Sequence, residues 1–156
     1  MKRFAARAGV VVGSLAALFL GIAVSQAQMK AGSGDVIGDR QRLMKVQGAN
    51  AKDLNDKLKA GQIEAMAVNA ETIAITAQHI PVLFPEGSTS DKSRAKPEIW
   101  QKRAEFDAAA KNLQVKAEEL RDAARSKDQA KTEAALKAMG SQGCAACHDA
   151  FRKPQQ

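Results

Sequence analysis

The pattern that decides the fold lies in residues 97–125, which read PEIWQKRAEFDAAAKNLQVKAEELRDAAR. Large apolar side chains and alanines recur there every three, four or seven residues, at Ile99, Phe106, Ala110, Leu113, Ala117, Leu120 and Ala124. Such spacing places them on one stripe of an α-helix, and the mixture of large residues with alanine lets a second helix approach closely. Pro97 suits the first position of this helix. The stretch therefore predicts a long helix that packs in a bundle.

Three other stretches show helical periodicity, and no stretch reads convincingly as a strand. The first covers residues 36–59, with Asp35 as a plausible N-cap, and the second covers about 62–79. The last covers about 128–152 and holds both cysteines of the chain. Short turns join the first pair and the last pair of helices, and a loop rich in proline and serine, residues 81–96, joins the two pairs. This order predicts an all-α fold, an antiparallel four-helix bundle.

Residues 1–27 have the pattern of a cleavable signal peptide. An apolar run over residues 9–24 follows a basic start, and small residues occupy the two positions of 25–27 that a signal peptidase reads. About 16 apolar residues are short for a spanning helix, which needs roughly 20, although an uncleaved N-terminal anchor is the alternative. The sequence therefore predicts export to a bacterial periplasm, with residues 28–156 as the mature domain. The basic residues of this segment are Lys2, Arg3 and Arg7.

The charge balance gives little support to nucleic-acid binding. The chain of 156 residues has a net charge of +7, and removing the three basic residues of the leader lowers it to +4. No cluster of lysine and arginine is interleaved with stacking aromatics. A charged fraction of 26% also excludes a polytopic membrane protein. Aromatic residues make up only 4% of the chain, so the sequence offers few bulky side chains with which to fill a core.

The residues that carry chemistry are Cys144-Ala145-Ala146-Cys147-His148. Covalent attachment of haem c needs two thiols that reach its two vinyl groups and an adjacent imidazole that reaches the iron, and the spacing C-x-x-C-H supplies both. On a helix, the two cysteines and His148 lie at i, i+3 and i+4, so all three face the same side. The motif predicts one covalent haem c, with Cys144 and Cys147 as thioether residues and His148 as an axial iron ligand.

Two other uses of the cysteines fit less well. A redox-active disulfide in a C-x-x-C motif is typical of a thioredoxin-like βαβ pattern, which this sequence lacks. A closed structural zinc site needs four ligands, and His79 is the only further residue of cysteine or histidine type. His79 itself ends a helix just before Pro81, where a surface position is expected.

The sequence resembles the class II cytochromes c, the family of cytochrome c′ and of the low-spin cytochrome c-556. The resemblance covers the mature chain and rests on residues 40–45 (RQRLMK), 83–88 (LFPEGS), 96–100 (KPEIW) and 144–152 (CAACHDAFR). It implies a four-helix bundle that holds haem near one end, with His148 as proximal ligand and the first helix across the distal face. It also implies that Arg152 packs near the proximal imidazole.

The context of Met44 is similar to the low-spin branch of the family, where a methionine at this position is the distal axial ligand. A methionine on iron fills the coordination sphere and favours fast electron transfer. On this interpretation His148 and Met44 hold a six-coordinate, low-spin iron. The protein would then be a periplasmic electron carrier, not an enzyme, and would serve redox partner proteins of a respiratory or photosynthetic chain.

The alternative is a five-coordinate, high-spin cytochrome c′ that binds nitric oxide or carbon monoxide. Some five-coordinate members have a methionine at the position of Met44 without using it, and cytochrome c′ members carry a pair like Arg40-Gln41 close to the haem. Arg40 suits a charge-assisted hydrogen bond to a haem propionate. A peroxidase is a third hypothesis, but the sequence lacks a distal histidine and arginine at suitable spacing. Met66 and Met139 fall on apolar stripes and are expected in the core; monomer and homodimer both stay open.

Overall fold

The structure is a computed structural model that describes residues 34–154, so the predicted signal peptide lies outside the described residues. Within that part, the chain is helical and contains no strand, only a single bridge between Ala95 and Arg152. The helices are α1 (Val36–Lys59), α2 (Met66–Ala77), α3 (Glu98–Gln101), α4 (Arg103–Arg125), α5 (Gln129–Ala138) and α6 (Ala146–Phe151). A 3₁₀ turn, Pro81–Leu83, follows α2, and a π-helical turn, Met139–Ala145, joins α5 to α6 without a break. The prediction of an all-α four-helix bundle is confirmed.

The first helix begins and ends where the sequence predicts. The carboxylate of Asp35 accepts the amide of Gly38 at 2.9 Å, which satisfies one of the amides left over at a helix start. The middle of α1 is held to α2 by polar contacts, because the buried Asn69 donates to Asn50 Oδ1 at 3.0 Å and to Asp53 Oδ2 at 2.9 Å. These bonds replace the apolar contacts that the thin stripe of α1 does not supply.

The second helix starts four residues later than predicted. Gly61 adopts a φ of +70°, which glycine tolerates without strain. The chain then enters α2 through a tight turn, in which Met66 donates to Ile63 O at 3.1 Å. The apolar stripe of the helix is buried as expected, and Met66 is fully inaccessible to solvent.

The third helix is interrupted where the sequence predicts continuity. Lys102, with φ −122° and ψ 48°, separates the four-residue α3 from α4. The predicted stripe is nevertheless buried on both sides of the break, from Ile99 in α3 to Leu120 and Ala124 in α4. The indole of Trp100 donates to Pro85 O at 2.8 Å, so α3 also fixes the loop that precedes it.

The packing of the helices leaves one side of the bundle open. α4 packs against α2 on one side and against α5 and the π turn on the other. Among the helices of residues 34–154, α1 packs against α2 and the 3₁₀ turn but makes no comparable contact with α5, the π turn or α6. A cleft therefore lies between α1 and the C-terminal helix. No helix in the described part is long and apolar enough to cross a membrane.

Candidate haem-binding site

The cleft between α1 and the C-terminal helix gathers the residues singled out by the sequence. It has about 960 Å³ of free space, counting the part open to solvent. Its walls are largely apolar and include Ile37, Ile80, Phe84, Ile99, Phe106 and Phe151. Met44, Arg40 and Gln41 line it from α1, and Cys144, Cys147, His148 and Arg152 line it from the opposite side. The structure thus brings these predicted site residues together.

The two thiols and the imidazole are half-buried in the wall of the cleft. Burial raises the pKa of Cys144 and of Cys147, and their mutual proximity raises that of Cys147 further. Burial lowers the pKa of His148, and the charges of Arg152 and Arg94 lower it further. The imidazole is therefore neutral at pH 7, and a neutral imidazole is the form that ligates a metal.

This set of groups fits a covalent haem. The free thiols of Cys144 and Cys147 lie on the cleft three residues apart, and the neutral imidazole of His148 follows directly. The remaining wall is apolar and includes two edge-to-face aromatic pairs, Phe84 with Phe106 at 4.9 Å and Phe106 with Phe151 at 5.3 Å between ring centroids. A large flat apolar group suits such a wall. Residues 34–154 contain no cluster of three or more histidine, cysteine or acidic residues that could hold a metal ion, so the zinc alternative gains no support.

The motif begins inside a π-helical turn that the sequence analysis did not predict. The amide of Ala146 donates to Ser141 O, five residues back, instead of to Gln142 O, four residues back. From the neighbouring helix, Asn112 Nδ2 donates to Gln142 O at 2.8 Å. Two glycines in the turn, Gly140 and Gly143, are the sequence signal for an irregular helix here. Nothing in the sequence predicts that Asn112 contacts the turn.

Arg40 is almost wholly buried, with 4% of its surface exposed, and burial lowers its pKa. Its guanidinium donates to Leu83 O and to the side-chain oxygen of Ser88, and to Ser88 O at 2.8 Å. The adjacent Gln41 donates to Lys92 O at 3.1 Å. The predicted pair thus faces the cleft and also holds the loop that follows the 3₁₀ turn. Its predicted contact with a haem propionate stays a prediction.

Arg103 holds the same loop from the other side, and the sequence analysis missed it. Its guanidinium donates to Phe84 O at 2.8 Å and to Pro81 O at 2.9 Å, while Nε bonds to Asp107. Arg103 follows Ile99 by four residues, the spacing at which alanine follows Phe106, Leu113 and Leu120, so a charged residue in register with the apolar stripe was the available signal. Together the two arginines fix Phe84 in the wall of the cleft.

The remaining candidates lie away from the cleft. His79 is exposed, and its ring nitrogen Nδ1 lies 3.0 Å from Ile75 O. Met66 and Met139 are buried in the bundle core, as the sequence predicts. None of the three lines the cleft.

Comparisons with known proteins agree on one family. A family model described as Cytochrome C' matches residues 35–152. A cytochrome c′ of Pararhodospirillum photometricum is 36% identical over 118 residues, which are 73% of this chain and 93% of the relative. A cytochrome c′ of Rhodopseudomonas palustris is 34% identical over 159 residues, 96% of this chain and 95% of the relative. A solved nitric oxide complex of a mutant cytochrome c prime from Alcaligenes xylosoxidans is similar with a TM-score of 0.69 and 27% identity, covering 78% of this chain and 96% of that chain.

These relatives contradict the expectation of a low-spin electron carrier with Met44 on the iron. The family model and both relatives bear the name cytochrome c′, and the solved neighbour is a nitric oxide complex. The cause of the error is physical. Met44 lines the cleft beside other apolar side chains of the wall, such as Ile37 and Phe84, and a methionine there serves as wall as readily as ligand. The finer assignment to the cytochrome c-556 branch is unsupported for the same reason.

Proposed function

Since the chain belongs to the cytochrome c′ family, we propose that it is a periplasmic haem c protein that binds nitric oxide or carbon monoxide at an open distal site. Members of this family carry one covalently bound haem c. The observation that supports the proposal most directly is the cleft. One side presents Cys144, Cys147 and His148, and the other presents α1, with the apolar Ile37 and Met44 beside Arg40 and Gln41.

On the proximal side, the C-terminal helix would hold the cofactor. In the proposal, Cys144 and Cys147 would form the two thioether links, and the imidazole of His148 would bind the iron. When bound, the haem would supply an iron that accepts a diatomic gas. Arg152 lines the cleft near His148, and its charge helps keep the imidazole unprotonated. The chain thereby presents the imidazole in the form that ligates.

On the distal side, Met44, Ile37 and Phe84 line the cleft as apolar side chains. Among the described residues that line the cleft, there is no carboxylate, and His148 is the one histidine. A cleft without a second histidine or a carboxylate lacks the groups most often used for general acid–base catalysis, and it suits a small neutral ligand. We therefore place the protein among binding modules rather than enzymes.

Export is part of the proposal. Residues 1–27 have the pattern of a signal peptide, and residues 28–156 would form the mature domain in the periplasm. A redox partner protein of the same compartment would keep the site reduced. The mature protein would act as a monomer or a homodimer.

Optical and electron paramagnetic resonance spectra of the oxidised holoprotein test the proposal. We expect high-spin iron in the wild type and in Met44→Ala, and a shifted spectrum when the reduced protein meets carbon monoxide or nitric oxide. Met66→Leu, a substitution in the core away from the cleft, is the control for nonspecific effects. A low-spin spectrum with a methionine–sulfur charge-transfer band that disappears in Met44→Ala would overturn the proposal.

A further inference from the structure

The last helix of the bundle consists of α5, the π turn and α6. The positions of its buried side chains shift by one residue between its two ends. The buried Thr132 in α5 and Met139 at the start of the π turn lie seven residues apart, which is about two turns of a regular helix. Phe151 is also buried, with 6% of its surface exposed, yet it follows Met139 by twelve residues. At 3.6 residues per turn, twelve residues would place the two side chains about 120° apart, whereas eleven would leave about 20°. One residue must therefore be absorbed between them.

The π turn Met139–Ala145 absorbs that residue. Its diagnostic bond is the one from Ala146 N to Ser141 O, which spans five residues instead of four. After the turn, Cys147 and His148 line the cleft and Ala150 is exposed. An unbroken α-helix in phase with Met139 would bring Ala150, not Phe151, to the inner face. The π turn thus lets one helix present a core stripe first and the C-x-x-C-H face afterwards.

Two residues act at this turn where it meets α4. The diverted amide of Ala146 leaves Gln142 O without its usual helical donor, and Asn112 Nδ2 donates to that carbonyl at 2.8 Å. At Gly143, a β-carbon would lie 2.9 Å from Leu113 Cδ1 and 3.4 Å from Leu113 Cα. Any larger residue at position 143 would therefore require the Leu113 side chain to shift.

We propose that the π turn is the element that aims the haem-attachment face into the cleft, and that Asn112 and Gly143 are its positioning residues. The inference rests on the proposed haem site but not on which gas binds there. Asn112 acts through the Gln142 carbonyl and Gly143 through its contact with Leu113. Neither residue needs to touch the cofactor.

The first test removes the donor, once with the shape of the side chain kept (Asn112→Asp) and once with the side chain truncated (Asn112→Ala). We expect Asn112→Asp and Asn112→Ala in the holoprotein to speed hydrogen–deuterium exchange of residues 140–147 by about tenfold, and to shift the iron–imidazole stretching band of the ferrous form. Asn55→Ala is the matched control, because Asn55 also donates to a helix carbonyl, Ala51 O at 2.8 Å, but on α1. Unchanged exchange and an unchanged band in both Asn112 variants would overturn the role of Asn112.

The second test shortens the turn by one residue or by two. Deleting Ser141 removes the residue that the π turn absorbs, so we expect a regular helix that keeps its phase, its helical circular dichroism and both thioether links, measured as haem mass on the intact chain. Deleting Ser141 and Gln142 together rotates the following helix by about 100°, and we expect that variant to lose one or both links. Lost links in the single deletion, or two intact links in the double deletion, would overturn the proposal. A wild type that attaches haem but binds neither gas would refute the proposed function and leave this inference standing.

Discussion

The guanidinium carbon of Arg40 lies 4.1 Å from the centre of the Phe84 ring, while the same side chain donates to the backbone carbonyl of Leu83. One buried cation therefore fixes both the ring and the backbone of the segment that forms the loop side of the cleft. The chain places a charge in an apolar site and satisfies it with carbonyl and hydroxyl oxygens of one loop.

Replacing Arg40 should weaken the fold as a whole. We expect Arg40→Ala to lower the free energy of unfolding of the holoprotein by about 3 kcal/mol, since it removes charge-assisted hydrogen bonds and the stacking on Phe84. Guanidinium denaturation followed by circular dichroism measures it. Lys45→Ala, an exposed change on the same helix, should stay within about 0.5 kcal/mol. Equal losses in the two variants would contradict an anchoring role for Arg40.

The two glycines of the π turn should respond differently to alanine. A β-carbon at Gly140 would meet nothing within 4 Å, so Gly140→Ala should gain up to about 1 kcal/mol of stability from helix propensity. At Gly143 the same change presses on Leu113, and overpacking costs about 1–3 kcal/mol. Urea unfolding of the two variants isolates the packing cost as their difference. If Gly143→Ala were the more stable variant, a β-carbon close to Leu113 would carry no packing cost.

Lys127 adopts a φ of +60° between α4 and α5, in the left-handed region where a β-carbon causes strain. We expect Lys127→Gly to be more stable than Lys127→Ala by about 1 kcal/mol, because only glycine relieves the strain. Both variants lose the ion pair with Glu64 at 2.9 Å, so their comparison cancels that contact. Thermal and urea unfolding of the pair measure the difference; equal stability would show that the turn is unstrained.

Asp128 should make the stability of α5 depend on pH. Its carboxylate accepts the amide of Lys131 at 3.0 Å, and this bond, followed by the Lys131 side chain, holds the pKa of Asp128 below its ordinary value of 3.8. Because the folded state has the lower pKa, the stabilisation is complete above about pH 5 and is lost as the pH falls through the folded-state value. Asp128→Asn keeps a cap acceptor but does not titrate.

The melting temperature of Asp128→Asn should therefore fall less than that of the wild type between about pH 5 and about pH 2.5. Asp91→Asn, a change at an exposed loop carboxylate, should follow the wild-type profile. Parallel profiles for Asp128→Asn and the wild type would rule out this contribution from the cap.

Loss of haem attachment should cost the protein its cooperative unfolding. The cleft of about 960 Å³ would then be left without a filler, and apolar walls without contacts destabilise a small bundle. We expect Cys144→Ser/Cys147→Ser to lose the sharp calorimetric transition of the wild type, and Cys144→Ser, with one link left, to fall between them. A haem-free double variant that melts like the wild type would contradict the proposed role of the cofactor in the core.

Much of the fold follows from local patterns in the sequence. Asp35 before an apolar run predicts the start of α1 at the residue where it begins, and the seven-residue spacing from Ile99 to Leu120 predicts which face of α4 is buried. The break at Lys102 and the late start of α2 follow no such pattern, because they arise from how turns fit against neighbouring segments. Those fits involve contacts distant in sequence.

The candidate site divides in the same way. The spacing of Cys144, Cys147 and His148 predicts that they share a face, and they do line one cleft. The π turn that precedes this face accepts a hydrogen bond at Gln142 O from Asn112, thirty residues earlier in the chain. The role of the residue opposite His148 is harder still to predict from the sequence. A methionine at position 44 looks the same whether it binds a metal or forms part of the wall.

The missing contact between α1 and the C-terminal helix has an evolutionary consequence. Side chains such as Ile37 and Met44 border the cleft, whereas Leu120 is enclosed by neighbouring side chains of the core. A substitution on this part of α1 therefore demands no matching change in a partner helix. Selection can retune which molecules reach the cleft by varying a few residues of one helix, while the rest of the bundle keeps its architecture. Changes in ligand specificity on this part of α1 can therefore occur without loss of the stability of the bundle.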